Sequence, residues 1–268
     1  MGKTGVQTSE IGIQMYTVRD FIKTREGLED TLKKLADTGY RNVQISVPPF
    51  MTVNELADML RVYGLKADSV FCTTSEITAK AARLAEDAAA LGTKVLRTDS
   101  IPAAYRKTAD GYRRFAEMMN EQAAALKAVG LKYMYHFHAF EFVSFGDVRG
   151  IDIMLNDTDK NTVWFQPDVF WLASAGTEPS HSLKMFEGRA EYIHVKDYAI
   201  RQLEGVIENV PFYFAAVGTG NMNWPGIMKT AGEIGVRRYV VEQDKCDGDV
   251  FEAVRVSYNS LVNMGAGK

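Results

Sequence analysis

The chain repeats one piece of punctuation. Six times an amphipathic run ends in glycine, and a basic residue follows within two places, just ahead of a short apolar run. The instances are Gly39-Tyr40-Arg41, Gly64-Leu65-Lys66, Gly92-Thr93-Lys94, Gly130-Leu131-Lys132, Gly188-Arg189 and Gly235-Val236-Arg237. Glycine after a helix supplies the left-handed C′ conformation without a Cβ clash. The runs that follow are rich in β-branched and aromatic residues, as strands require. Strands are therefore expected at 11–17, 41–46, 66–72, 94–99, 132–138, 163–168, 191–197 and 239–244, with clear helices at 27–38, 53–63, 76–91, 110–129, 224–234 and 249–264. Thr52-Val53-Asn54-Glu55 has the spacing of a capping box. Strand alternating with helix means parallel strands joined by right-handed crossovers. Eight such units predict a closed (β/α)8 TIM barrel of the α/β class rather than an open doubly wound sheet. The 268 residues fit one barrel domain, residues 1–268, since such barrels run about 250 residues.

Composition narrows the function. Hydrophobic residues are 46% and charged residues 24% of the chain, an ordinary globular balance. The net charge of -3 gives no basic footprint for nucleic acid. No apolar run reaches the ~18–20 residues that span a bilayer. Cys72 and Cys246 sit in or beside apolar runs and are expected as reduced thiols. The opening Met-Gly-Lys-Thr-Gly-Val has no apolar leader core. A cytoplasmic location is expected from this sequence, and a periplasmic or secreted one if a leader precedes it. Homo-oligomerisation stays open. The stretch 198–222 is long for a βα loop, which usually has about 2–6 residues, and is expected to cover the active site.

Polar residues collect at the C-terminal ends of the last four strands. A buried polar group without a partner costs about 1–3 kcal/mol, so such residues need a reason. They occur in pairs two apart, which puts both members on one face: His136 and His138, Gln166 and Asp168, His194 and Lys196, Glu242 and Asp244. Glu141 follows closely on the first pair. The C-terminal strand ends of such a barrel converge on one pocket. Glu141, Asp168, His194 and Glu242 then form a mixed oxygen–nitrogen set suited to Mn²⁺, Mg²⁺, Co²⁺ or Zn²⁺. Glu141 is out of phase with His136 and His138 on a straight strand. It joins the set only if the chain bends near Ala139; otherwise a histidine takes its place. Asp197 is read as a cap for the following helix, and Asp244 could serve the same role. On the earlier strands Gln14 and Tyr16, Gln44 and Ser46, and Arg97 and Asp99 form similar pairs that could meet substrate hydroxyls or each other. Trp171 offers a ring either to stack on a sugar or to pack its own helix.

These residues resemble the sugar phosphate isomerase/epimerase group of xylose isomerase-like barrels, which also includes the endonuclease IV type of AP endonuclease. The likeness runs from Ile13-Gln14-Met15-Tyr16-Thr17-Val18-Arg19 through His136-Phe137-His138-Ala139-Phe140-Glu141-Phe142, similar to the group's His-Asn-His-x-x-Glu-Phe stretch. It continues at Asp168-Val169-Phe170-Trp171, His194-Val195-Lys196-Asp197, Val217-Gly218-Thr219-Gly220 and Val241-Glu242-Gln243-Asp244. Phe137 stands where Asn is usual, and Gln44 where many relatives carry Glu. The resemblance implies a divalent metal on Glu141, Asp168, His194 and Glu242.

The expected chemistry is isomerisation or epimerisation of a keto-sugar or sugar phosphate. Glu141 and Glu242 would move a proton beside a metal-polarised carbonyl. Lys196 with His136 or His138 would steady the developing oxyanion. Gln14, Tyr16, Arg97, His138, Gln166, Trp171 and Asp244 would hold the small carbohydrate substrate. A lyase, hydrolase or dehydratase acting on 3-keto-glycosides or related keto-sugars shares the first step and is the closest alternative. A DNA-repair endonuclease would carry more histidines than the four present and a basic face. A non-catalytic binding barrel would need no ligand set.

Overall fold

A computed structural model describes residues 10–201 and 212–267. The first residues of the chain and the middle of the expected covering stretch lie outside the described residues. The strands are β1 Glu10–Gln14, β2 Asn42–Gln44, β3 Lys66–Ala67, β4 Val70–Phe71, β5 Val95–Asp99, β6 Lys132–His136, β7 Ser144–Phe145, β8 Val148–Arg149, β9 Val163–Gln166, β10 Tyr192–Val195, β11 Asp197–Ile200, β12 Phe212–Ala215 and β13 Arg238–Val241. The helices are α1 Arg25–Thr38, α2 Val53–Val62, α3 Ile77–Leu91, α4 Ala109–Ala128, α5 Gly150–Asp157, α6 Val169–Ser174, α7 Pro179–Ser182, α8 Trp224–Glu233 and α9 Val250–Asn263.

Parallel pairing runs in two arcs, β10-β13-β1-β2-β3 and β4-β5-β6-β9. They meet at two seams. β3 and β4 are one stretch of chain interrupted at Asp68 and Ser69; its first half pairs with β2 and its second with β5. At the other seam the Asp168–His194 bridge and the His194 N–H donating to Pro167 O, at 2.8 Å, join β9 to β10. The eight expected strand positions therefore follow one another in chain order around a TIM barrel.

All six punctuating glycines have positive φ, from 65° to 123°, the backbone region that only glycine enters cheaply. Several helix starts are capped by a side chain. Thr24, Thr108 and Asn223 accept the N–H groups of Gly27, Gly111 and Gly226, and Thr52 with Glu55 completes its capping box. Outward strand residues such as Val43, Leu96, Tyr133, Tyr135, Phe165, Ile193, Val195 and Val241 are buried under this helical layer. Their alternate neighbours, among them Gln44, Arg97, His136, Gln166 and His194, point to the barrel interior and are also buried.

Four expectations change. The first strand stops at Gln14, whose side-chain oxygen accepts the Tyr16 N–H at 3.3 Å and starts a 3₁₀ turn over Met15–Phe21. Tyr16 thus leaves the Gln14 face and stands at the rim, half exposed. Asp197 does not cap α8, whose N-cap is Asn223. It is fully buried and gathers the 216–224 loop: Oδ2 accepts from Gly218 N, Gly220 N and Trp224 Nε1 at 2.9, 3.0 and 2.7 Å. Asp244 caps nothing either; α9 is capped by Asp249. Part of the expected loop 198–222 is an antiparallel pair, β11 with β12.

Candidate metal centre

The inner faces of β6, β9, β10 and β13 bring His136, Asp168, His194 and Glu242 together. One ligand atom from each lies within 4.8 Å of all the others, and all four residues are buried. Local structure sets each orientation. Asp168 is the N-cap of α6, and its Oδ1 accepts from Phe170 N at 2.8 Å and Trp171 N at 3.2 Å. Its Oδ2 is left without a hydrogen-bond partner. His194 Nε2 lies 2.8 Å from Gln44 Oε1. A carbonyl oxygen can only accept, so Nε2 carries the proton and Nδ1 presents its lone pair. Nδ1 is likewise without a partner, as is Glu242 Oε2, although the two lie 3.0 Å apart. With the proton on Nε2 both atoms are acceptors and cannot bond each other. His136 Nδ1 contacts Gln166 O at 3.4 Å.

Lys196 Nζ lies 3.4 Å from Asp168 Oδ2, 3.0 Å from Glu242 Oε2 and 3.0 Å from Asp244 Oδ1. One lysine faces three carboxylates, an excess of two negative charges. Buried acceptors that form no hydrogen bond and a surplus of negative charge are what a divalent cation corrects, and mixed imidazole and carboxylate ligands suit such an ion. Gln44 on His194 is the kind of outer contact that fixes a ligating imidazole.

Electrostatics follow from burial and these neighbours. Burial opposes a charge on Glu242, but its neighbours, the Lys196 ammonium first among them, outweigh it and hold its carboxyl well below the usual range. Burial also opposes charge on Lys196, and the three carboxylates more than reverse this, raising its pKa. Burial lowers His136 far below the usual imidazole range, helped by the neighbouring histidines. Burial likewise lowers His138, so it is neutral near pH 7.

The position of Glu141 corrects the expected ligand set. The chain does bend at Ala139, into a 3₁₀ turn over Ala139–Phe142. The bend, however, turns the Glu141 carboxylate away from the cluster. One oxygen accepts from the Tyr135 hydroxyl and the other from His138 N at 3.0 Å. Burial raises its pKa to about 7 against these hydrogen bonds. His136, one of the two residues the phase argument offered in its place, stands in the cluster with the other three.

Above the cluster opens a cavity of about 880 Å³. Of the expected substrate residues, Gln14, Tyr16, Arg97, His138, Trp171 and Asp244 line it, together with His136, Lys196 and Glu242. Gln166 does not. It lies beneath the cavity, where its Oε1 accepts from Gln44 Nε2 at 3.2 Å. Arg97 Nη1 pairs with Asp99 at 2.5 Å, and its Nε has no partner. The reading of the sequence missed Ser100, which bonds His138 Nδ1 at 3.2 Å. Ser100 is the one non-glycine residue at positive φ among the described residues. Such strain gathers at functional sites, but no local pattern announces it.

A parallel barrel with a His–carboxylate cluster at its C-terminal strand ends is a TIM barrel with a candidate metal site. The chain belongs to the xylose isomerase-like TIM barrel family, whose model matches residues 26–254. Inosose dehydratase of Clostridium perfringens (strain 13 / Type A) is 28% identical over 115 residues, 43% of this chain and 38% of that protein. The match therefore spans well under half of that relative. A sugar phosphate isomerase/epimerase structure from Parabacteroides distasonis ATCC 8503 aligns with a TM-score of 0.79 at 22% identity, covering 99% of this chain and 97% of that one. The IOLI protein with a bound zinc atom aligns with a TM-score of 0.74 at 14% identity, covering 95% and 97%. At these identities the two structures speak for the fold. No described helix is long and apolar enough to cross a membrane.

Proposed function

We propose that this chain is a metal-dependent enzyme that removes a proton beside the carbonyl of a keto-polyol, with loss of water from the adjoining carbon as the outcome. One observation carries this reading: three unpartnered buried acceptors, Asp168 Oδ2, His194 Nδ1 and Glu242 Oε2, beside Lys196 under a large polar-floored cavity. A divalent ion held by His136, Asp168, His194 and Glu242 would supply Lewis acidity at the substrate carbonyl. Glu242 belongs to both the cluster and the cavity wall. Kept ionised by Lys196, it can accept the C–H proton. Lys196 stays cationic among its three carboxylates, so it donates to a developing oxyanion and does not act as a base. His138, neutral and tied to Ser100, lines the cavity and can hydrogen-bond the departing hydroxyl, which takes up the proton that Glu242 has removed.

Epimerisation by opposed carboxylates would need Glu141 in the cavity. Glu141 is fully buried and does not line it. One carboxylate base beside the cluster suits enolisation followed by elimination, and the inosose dehydratase relative points the same way. Isomerisation through the same first step is the second reading. The test is NMR of the metal-loaded protein with an inosose in D₂O. Solvent deuterium entering beside the carbonyl with loss of water is expected. Deuterium entering without water loss would favour the isomerase, and no exchange into inosose or other keto-sugars would refute both.

A further inference from the structure

We propose that Lys196 and Asp244 together set the affinity of the cluster for its metal: the Lys196 ammonium competes with the ion for Asp168 and Glu242, and Asp244 is the counter-ion that draws the ammonium off them. This rests on the metal site of the reading above and adds two residues that are not among its ligands.

Strand periodicity places the two residues. His194 and Lys196 share a face at the C-terminal end of β10, and Glu242 and Asp244 share one at the end of β13. The two strands are parallel neighbours. Each thus offers one residue of the cluster and, two positions on, one charged residue outside it. Lys196 Nζ lies 3.4 Å from Asp168 Oδ2 and 3.0 Å from Glu242 Oε2, two oxygens of the cluster that form no hydrogen bond. It donates instead to Asp244, at 3.0 Å to Oδ1 and 3.1 Å to Oδ2. Its hydrogen bonds belong to Asp244 while its charge faces the ligands.

A divalent ion on those two oxygens and an ammonium beside them repel each other, and burial keeps the repulsion strong. Lys196 is 2% exposed, so water does not take up its charge. Its surroundings do. Asp244 lines the cavity with its side chain 25% exposed, which leaves it room to follow the ammonium outward. The rings of Trp171, Phe170 and Phe214 stand 5.3, 5.9 and 5.9 Å from Nζ, and aromatic faces attract a cation at such range. The two residues therefore act on the metal with opposite sign, and Asp244 acts through Lys196. Without Asp244 the ammonium keeps its hold on the ligands. Without Lys196 there is no ammonium for Asp244 to draw off.

The test measures the affinity of the full chain for Zn²⁺ and Mn²⁺ by chelator competition, with no turnover required. Lys196→Met should bind at least ~10-fold tighter than the wild type, because a like charge beside the ligands is gone. Asp244→Asn should bind at least ~10-fold weaker, the range of outer-contact losses. Simple long-range attraction would give the same two signs, so the double variant decides. In the Lys196→Met background, Asp244→Asn should change affinity by less than ~3-fold, since its partner is already missing. A ~10-fold loss there too would make the two effects additive and overturn the inference, and the metal site would stand. Lys196→Met binding no tighter than the wild type would overturn it as well. Lys196→Gln repeats the comparison if the methionine variant does not fold. Absence of Zn²⁺ and Mn²⁺ binding by the wild type would refute the metal site and the inference together.

Discussion

At the N-terminal end of the barrel Arg238 lies between the carboxylates of Asp68 and Glu10; at the C-terminal end Lys196 lies among those of Asp168, Glu242 and Asp244. Both ends bury charge, and each leaves polar atoms without hydrogen-bond partners. At the first end these are Asp68 Oδ2 and Arg238 Nε, one acceptor and one donor on groups that already pair. At the second end Asp168 Oδ2, Glu242 Oε2 and His194 Nδ1 are three acceptors facing each other. The first end can settle its single surplus negative charge with a proton: burial, against Arg238, raises the Asp68 pKa to about 7. The second has a surplus of two and keeps Glu242 ionised. Charge that a proton can neutralise holds a fold closed, whereas charge that needs a cation makes a site.

The largest effect expected is at the cation end. Asp168→Asn keeps the Oδ1 cap on α6 and removes the charge, and His194→Ala removes a ligand. Both should lose the bound metal by elemental analysis and at least ~10³-fold of turnover, because Lewis-acid assistance is worth several kcal/mol. Full metal occupancy in both would break the contrast. At the other end Arg238→Met should retain the metal but lose about 3 kcal/mol in urea unfolding, since it strands the buried Asp68. Loss of metal there would mean that the two ends are not independent.

A smaller effect is expected at Gln44. Gln44→Leu removes the acceptor that sets the His194 tautomer, and metal affinity by chelator competition should weaken ~10–100-fold, as for other outer-contact losses. Unchanged affinity would show that packing alone orients the ring. The smallest is a pH slope. Asp68 holds its proton to about pH 7 when folded and has an ordinary value of 3.8. Between these the folded state binds more protons than the unfolded, so this group makes stability fall as pH rises, and its contribution is flat above. Asp68→Asn should flatten that part of the profile. An identical slope in the variant would assign the linkage elsewhere.

Sequence alone determined the features that depend on near neighbours. The six glycines with their basic followers marked helix ends because positive φ is a local demand. Period-two spacing put Gln166 with Asp168, His194 with Lys196 and Glu242 with Asp244 on inner faces, because strand geometry is local too. Asp168, His194 and Glu242 were therefore legible as one group. The tertiary structure decided what depended on the path of the chain and on distant partners. Glu141 and His136 are five residues apart in sequence, yet the choice between them turned on the 3₁₀ turn at Ala139 and the Tyr135 hydroxyl that holds Glu141 aside. The Gln44 contact with His194 joins residues 150 apart, and the Asp68 contact with Arg238 joins residues 170 apart. No periodicity reaches that far. Such pairs exist only once the barrel closes, and burial then fixes which charges need a proton and which need a metal.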